Sequence, residues 1–281
     1  MTNPYLKFRK QVKASLDKYT KEIKGFRDNL LFAPTGILSA EFSIPVSLPY
    51  WLSEIFELGT EKDRVCSVLS IGNLYGVSYI RSIGQSEGIG GFFLFKFIKG
   101  YQKIFPSDSR FWDYIEGYIK ETIRYFDFYR QDFKKRKTLL KEAIEISGNR
   151  YALQKCCSSA FCLLGKGESL HTPMEEMMEN FSKGLSLRNA AREWKEDLLH
   201  KRATFPLIKL HLIESKESAE DTLFLEGIIE ETLKHSVYYF NLALLVAKKL
   251  GLTLFASFLE HTVLLIESTV KELEAIRKNE Y

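Results

Sequence analysis

The stretch Leu187 to Leu207 reads Leu-Arg-Asn-Ala-Ala-Arg-Glu-Trp-Lys-Glu-Asp-Leu-Leu-His-Lys-Arg-Ala-Thr-Phe-Pro-Leu. It falls at the end of a long apolar-periodic segment, which predicts a helix over 173–199 and a second over 203–214. Asn189, Glu193 and Asp197 stand four residues apart, so on that helix they line one face and offer three oxygen ligands to a divalent cation. Lys195, Lys201 and Arg202 lie close by, as an anion held beside such a cation would need. The competing reading is that Glu193 and Asp197 pair with Arg192, Lys195, Lys201 or Arg202 on a solvated face, worth only about a few tenths of a kcal/mol each.

The same periodicity runs outward through the chain. Long apolar-periodic segments separated by short Gly/Pro breaks predict further helices over 5–24, 50–58, 62–84, 91–105, 109–136, 137–147, 149–165, 219–250 and 252–278. Strand-like alternation is hard to find, so the fold class is all-α. Ser39 to Pro49, with Pro45 and Pro49, is expected to be a connecting loop, and the four glycines of Gly84 to Gly91 a break between two apolar helices. Val65–Ile83 and Tyr151–Leu164 are apolar nearly all round, as central helices of a large bundle are.

Composition narrows the class. With 281 residues, 45% of them hydrophobic, and no Gly/Ser- or Pro-rich linker, the chain is expected to form a single helical domain over 1–281. Its 40 basic and 36 acidic residues leave a net charge of +4, too balanced to argue for nucleic acid. Cys66, Cys156, Cys157 and Cys162 lack metal-ligand spacing and read as small core residues in a reducing cytosol. The first 24 residues alternate charged and apolar types without the apolar core of a signal peptide. No uncharged run reaches the roughly 18 to 20 residues of a spanning helix, so a cytoplasmic location is expected. Five histidines show no His-Glu-x-x-His spacing, Gly88-Ile89-Gly90-Gly91 lacks a strand–turn–helix context, and no Gly-x-Ser-x-Gly elbow occurs.

Asp197, Leu198, Arg202, Thr204, Pro206 and Leu207 resemble the Asp-Leu-x-x-x-Lys-x-Thr-x-Pro-Leu segment of class I isoprenoid synthases, the trans-prenyltransferases and terpene synthases, with Arg in place of Lys. Asn189, Glu193 and Asp197 resemble that family's second metal motif. Tyr101-Gln102-Lys103-Ile104-Phe105-Pro106 with Phe111-Trp112, and Arg150 to Lys166, resemble the central elements of its bacterial members. The resemblance implies an isoprenoid synthase-like helical bundle around an apolar cavity, shaped by aromatic side chains between Phe92 and Phe133. It implies Mg2+ as cofactor, held by Asn189, Glu193, Asp197 and Glu87. It also implies a prenyl diphosphate held by Arg150, Lys195, Arg202 and Arg81, with Lys155 a further candidate.

The family's first aspartate-rich motif is degraded in Ile80 to Gly88, where Glu87 is the single acid and Gln85 and glycines replace aspartates. Two functions therefore follow from the resemblance. One is a terpene synthase or prenyltransferase ionising its substrate through the second motif. The other is a catalytically inactive subunit or isoprenoid-binding regulatory protein that keeps the fold. The assembly implied is a homodimer or a heteromer with an active synthase.

Overall fold

A computed structural model of the chain describes residues 13–15, 17–21, 40–83, 87–130, 139–213 and 217–280. Among these residues every regular element is helical and there is no strand, so the protein is all-α. The α-helices are α1 (Ala40–Leu52), α2 (Lys62–Ser82), α3 (Glu87–Tyr101), α4 (Phe111–Tyr129), α5 (Leu139–Ser147), α6 (Lys155–Leu164), α7 (His171–Leu199), α8 (Phe205–Leu210), α9 (Ala219–Leu225), α10 (Ile228–Leu250) and α11 (Thr253–Glu280). Residues 13–15 and 17–21, inside the helix expected over 5–24, are helical too. The described residues form two compact units, each drawn from several stretches of chain: Met1–Glu116, Leu153–Thr172 and Leu252–Phe255 in one, Gly117–Ala152, Pro173–Gly251 and Ala256–Tyr281 in the other.

The first unit holds the clearest departure from the sequence reading. The segment expected as a loop is helical from Ala40 to Pro49, α1 running through both prolines, while Ser39 lies outside the described residues. Pro49 has no N–H to give the Pro45 carbonyl four residues back, a loss that ordinarily breaks a helix. Here the missing donor comes from α2, where Asn73 Nδ2 bonds the Pro45 carbonyl at 3.0 Å. Ser70 Oγ donates to the Val46 carbonyl at 2.7 Å, and Cys66 Sγ to the Pro49 carbonyl at 3.6 Å. Cys66, Ser70 and Asn73 follow the i, i+4, i+7 spacing of one helical face, so a single polar stripe on α2 serves the backbone of α1. Asn73 Nδ2 also reaches Cys157 Sγ at 2.9 Å, and its Oδ1 accepts from Tyr101 at 3.3 Å.

Aromatic rings fill the rest of this core. Phe93, Phe97, Tyr101 and Phe111 are fully buried, and the Phe105–Phe111 and Tyr101–Phe111 ring centroids stand 4.0 and 5.1 Å apart. Room for them comes from glycine: a Cβ on Gly72 would lie 2.9 Å from the Tyr101 ring, and one on Gly76 3.2 Å from Phe97. Phe92, Phe93, Phe97, Tyr101, Phe105 and Phe111 make ring contacts within this unit, whereas Phe95 is exposed and Phe133 lies outside the described residues. All four cysteines are free and buried, as expected.

Other boundaries shift for local reasons. Gly88, Gly90 and Gly91 belong to α3 rather than to a break, and only 84–86 of the expected break lie outside the described residues. The segment expected as one helix over 219–250 is divided at Gly227, whose φ of +64° no helix accommodates. Arg277 occupies the space a side chain there would need. The 50–58 helix is only a 3-10 turn at Ser53–Ile55 after α1 ends. In the last helix the 27-residue span Thr253–Asn279 contains an 18-residue window of mean hydropathy 1.2, long and apolar enough by length and composition alone to cross a membrane, and 39% of that window is buried within the fold.

Candidate functional site

The second unit contains the quoted stretch, and local geometry explains much of its pattern. The last turn of α7 closes with Lys201 in the left-handed region at φ 52°, and the Arg202 N–H bonds the Asp197 carbonyl at 2.9 Å. This is the helix-ending arrangement usually built on glycine. The reversal turns Arg202 back along α7, so its Nη1 also bonds Asp197 Oδ1 at 3.1 Å. Thr204 then adopts an extended conformation ahead of α8, Pro206 sits in the first turn where its missing N–H costs nothing, and Leu207 is buried. The Asp-Leu-x-x-x-Arg-x-Thr-x-Pro-Leu pattern is thus a helix end, an ion pair and a helix start.

Opposite this face of α7 lies the kinked segment Gly148–Gln154, with Tyr151 at φ −114° and ψ 21°. Gly148 permits the approach, since a Cβ there would meet Lys183 Cγ of α7 at 2.9 Å. Arg150 and Tyr151 are delivered to the α7 face as a result. Arg150 Nη2 bonds Glu193 Oε2 at 3.2 Å, and the Tyr151 hydroxyl accepts from Asn189 Nδ2 at 2.7 Å. Arg192 Nη2 takes the other Glu193 oxygen at 3.3 Å, and Arg188 Nη2 makes a long contact of 3.5 Å to Asn189 Oδ1. From α4 the Tyr129 hydroxyl donates to Asp197 Oδ1 at 2.8 Å.

Asn189, Glu193 and Asp197 therefore share an inward face, and the side chains that meet them are bases and phenols. Asp197 is fully buried, and its Oδ2 accepts no hydrogen bond from the described residues. The two carboxyls respond in opposite directions. Burial, outweighing the Arg150, Tyr129 and Arg202 contributions, pushes Asp197 up. Burial acts the same way on Glu193, but Arg150 and Arg192 overcome it and hold that carboxyl below the usual range. Arg188 is pushed down by burial and by its neighbour Arg192.

The remaining sequence candidates are elsewhere. Lys195 is exposed, paired with Glu220 at 2.8 Å and seated over the Trp194 ring. Lys155 is buried at the start of α6 in the first unit. Arg81, in the last turn of α2, and Glu87, opening α3, belong to that unit as well, and the side chain of Glu87 lies outside the described residues. The sequence alone does not single out Arg188, Tyr125, Tyr129 or Tyr151 for the site. Arg188 and Tyr151 adjoin Asn189 and Arg150 along the chain, and that adjacency is the one signal pointing to them.

As a magnesium shell the arrangement fits poorly. Magnesium prefers carboxylate oxygens and near-octahedral geometry, yet both Glu193 oxygens and one of the two Asp197 oxygens already accept from guanidinium or phenol donors. Among the described residues no group of three or more His, Cys, Asp or Glu side chains converges to hold a metal. Beside this network the fold leaves a hollow of only about 20 Å³, lined by Tyr125, Phe128, Ala190 and Thr204 among others. Comparison with family models, with curated proteins and with solved structures found no match to this chain.

Proposed function

We propose that this protein binds the diphosphate of a prenyl diphosphate directly through arginines and does not ionise it, making it a non-catalytic relative, in function, of the class I isoprenoid synthases. The observation that carries the reading is the charge count on the α7 face. Arg150, Arg188, Arg192 and Arg202 stand there against Glu193, Glu196 and Asp197, and Arg188 has no carboxylate partner among the described residues. A guanidinium fork suits phosphate oxygens, and the Arg192 side chain, 57% exposed beside Glu193, is within reach of a ligand arriving from solvent. The poor fit to magnesium supports the same choice, because without bridging metals the charge developing on a departing diphosphate lacks its usual stabilisation.

A second reading keeps the synthase activity, with Mg2+ on Asn189, Glu193 and Asp197. The unpartnered Oδ2 of Asp197 favours it, although Arg150 would have to leave Glu193. Titration calorimetry of the full chain with inorganic pyrophosphate and with geranyl diphosphate, in EDTA and in Mg2+, separates the two. The proposal expects binding in EDTA that falls by roughly tenfold or more in Arg188→Ala/Arg192→Ala, because two charge-assisted hydrogen bonds to phosphate oxygens disappear. Binding that requires Mg2+, or release of pyrophosphate on turnover, establishes the second reading instead.

A further inference from the structure

The first unit carries a surface that the arginine site does not use. Between α2, α3 and the helical residues 17–21 lies an open groove of about 530 Å³, whose lining includes Lys18, Lys96, Lys99, Lys103, Phe95 and Ile71. Among the described residues no carboxylate lines it. Among the same residues Lys18, Lys99 and Lys103 make no ion pair, so their charge is not neutralised locally. Phe95 is 58% exposed, which places a large ring in water among these ammonium groups. Lys99 Nζ sits 5.6 Å from the Phe95 ring centroid and Lys96 Nζ 5.6 Å from Phe92, so the cations and rings share one face of α3.

We propose that this face docks on an anionic phospholipid bilayer, with Phe95 entering the headgroup region and Lys18, Lys96, Lys99 and Lys103 over the lipid phosphates. Residues 92, 95, 96 and 99 follow the i, i+3, i+4, i+7 spacing of one stripe of α3, and Lys103 follows in the turn that ends it, beside the same groove. Lysine stems lie along apolar surface while their ammonium groups reach outward, the disposition an interface of hydrocarbon and phosphate demands. Charge complementarity is what selects the partner: lysines around an exposed ring, with no carboxylate lining the groove among the described residues, repel a basic surface and gain little from a neutral one. Delivery to a membrane would suit a protein that handles a long-chain amphiphile, yet the docking face is built from first-unit residues alone and stands if the arginine site proves otherwise.

The test is co-sedimentation of the full chain with phosphatidylcholine vesicles carrying none or roughly a third phosphatidylglycerol. The expected result is binding to the anionic vesicles only, weakened by raising salt. Lys99→Gln/Lys103→Gln should weaken it by roughly 25-fold, about fivefold per lysine near the surface. Phe95→Ser should weaken it by about tenfold through lost apolar burial. These residues are exposed, so the helical circular dichroism of each variant should match the parent. Failure to bind anionic vesicles, equal binding to neutral ones, or undiminished binding by the double variant overturns the proposal. So does saturable binding of dodecyl phosphate below its micellar concentration without vesicle binding, which would make the groove a site for a single soluble amphiphile.

Discussion

Glu193→Gln separates the functions because it changes stability and ligand affinity in opposite directions. The Arg150–Glu193 pair stands at 3.2 Å, with the two side chains only 15% and 21% exposed. At an effective dielectric constant of about 20 the gross attraction at that distance is about 5 kcal/mol, and the desolvation of both groups offsets a large part of it. Gln keeps the shape and one acceptor but leaves Arg150 without its counter-charge, so we expect a net loss of about 2–3 kcal/mol. For a chain of this size that lowers Tm by about 4–9 °C. The same change adds one unit of net positive charge beside Arg188 and Arg192. Pyrophosphate affinity in EDTA should therefore rise by about five- to tenfold, some 1–1.4 kcal/mol. Scanning calorimetry with and without pyrophosphate, and direct titration, measure both quantities on one preparation. Weaker pyrophosphate binding by the variant refutes the arginine-held site and favours metal ligation by Glu193. An unchanged Tm refutes the buried pairing and returns Glu193 to an ordinary surface role.

Three further outcomes follow from the packing. Glu193, held below its ordinary 4.5, contributes stability that is present above that pH and lost as pH falls through its lowered value, whereas Asp197, raised above 3.8, binds its proton more readily folded than unfolded and gains stability on acidification. Urea unfolding between about pH 5 and pH 3 should then show a shallower acid loss in Glu193→Gln and a steeper one in Asp197→Asn, relative to the parent. Asn73→Leu leaves the Pro45 carbonyl unpaired and deprives Tyr101 of its acceptor, costing about 2–4 kcal/mol in the same assay, and a cost under about 1 kcal/mol would show that α1 does not depend on Asn73. Gly227→Ala combines a positive φ with displacement of Arg277 from the buried Glu230, and should cost about 2–3 kcal/mol, while Gly251→Ala, at a similar φ with open space around it, should cost only about 1 kcal/mol.

Which parts of the molecule are legible in the sequence follows from whether the controlling interaction is local. Apolar periodicity is local, and α2, α4, α7 and α11 appear close to where it places them. The helix through Pro45 and Pro49 reads as a loop because its stability rests on Asn73, Ser70 and Cys66, which stand 28, 24 and 17 residues along the chain from the carbonyls they serve. The left-handed cap at Lys201 carries no glycine to announce it. At the site, four-residue spacing puts Asn189, Glu193 and Asp197 on one face of α7, and it is the fold that turns this face inward. Spacing says nothing of what faces them, and the kink that carries Arg150 and Tyr151 against α7 depends on the close approach of Gly148 to Lys183 across the fold.

The dependence of α1 on α2 also orders events during synthesis. Residues 40–52 leave the ribosome before residues 66–73 do, and the Pro45 carbonyl then has only water for a donor, since Pro49 supplies none. A proline-bearing segment of 13 residues has no means of persisting as an isolated helix. It becomes helical when the polar stripe of α2 reaches it, so the two form as one event, and the chain cannot commit its early apolar residues to a core until that later stretch has emerged.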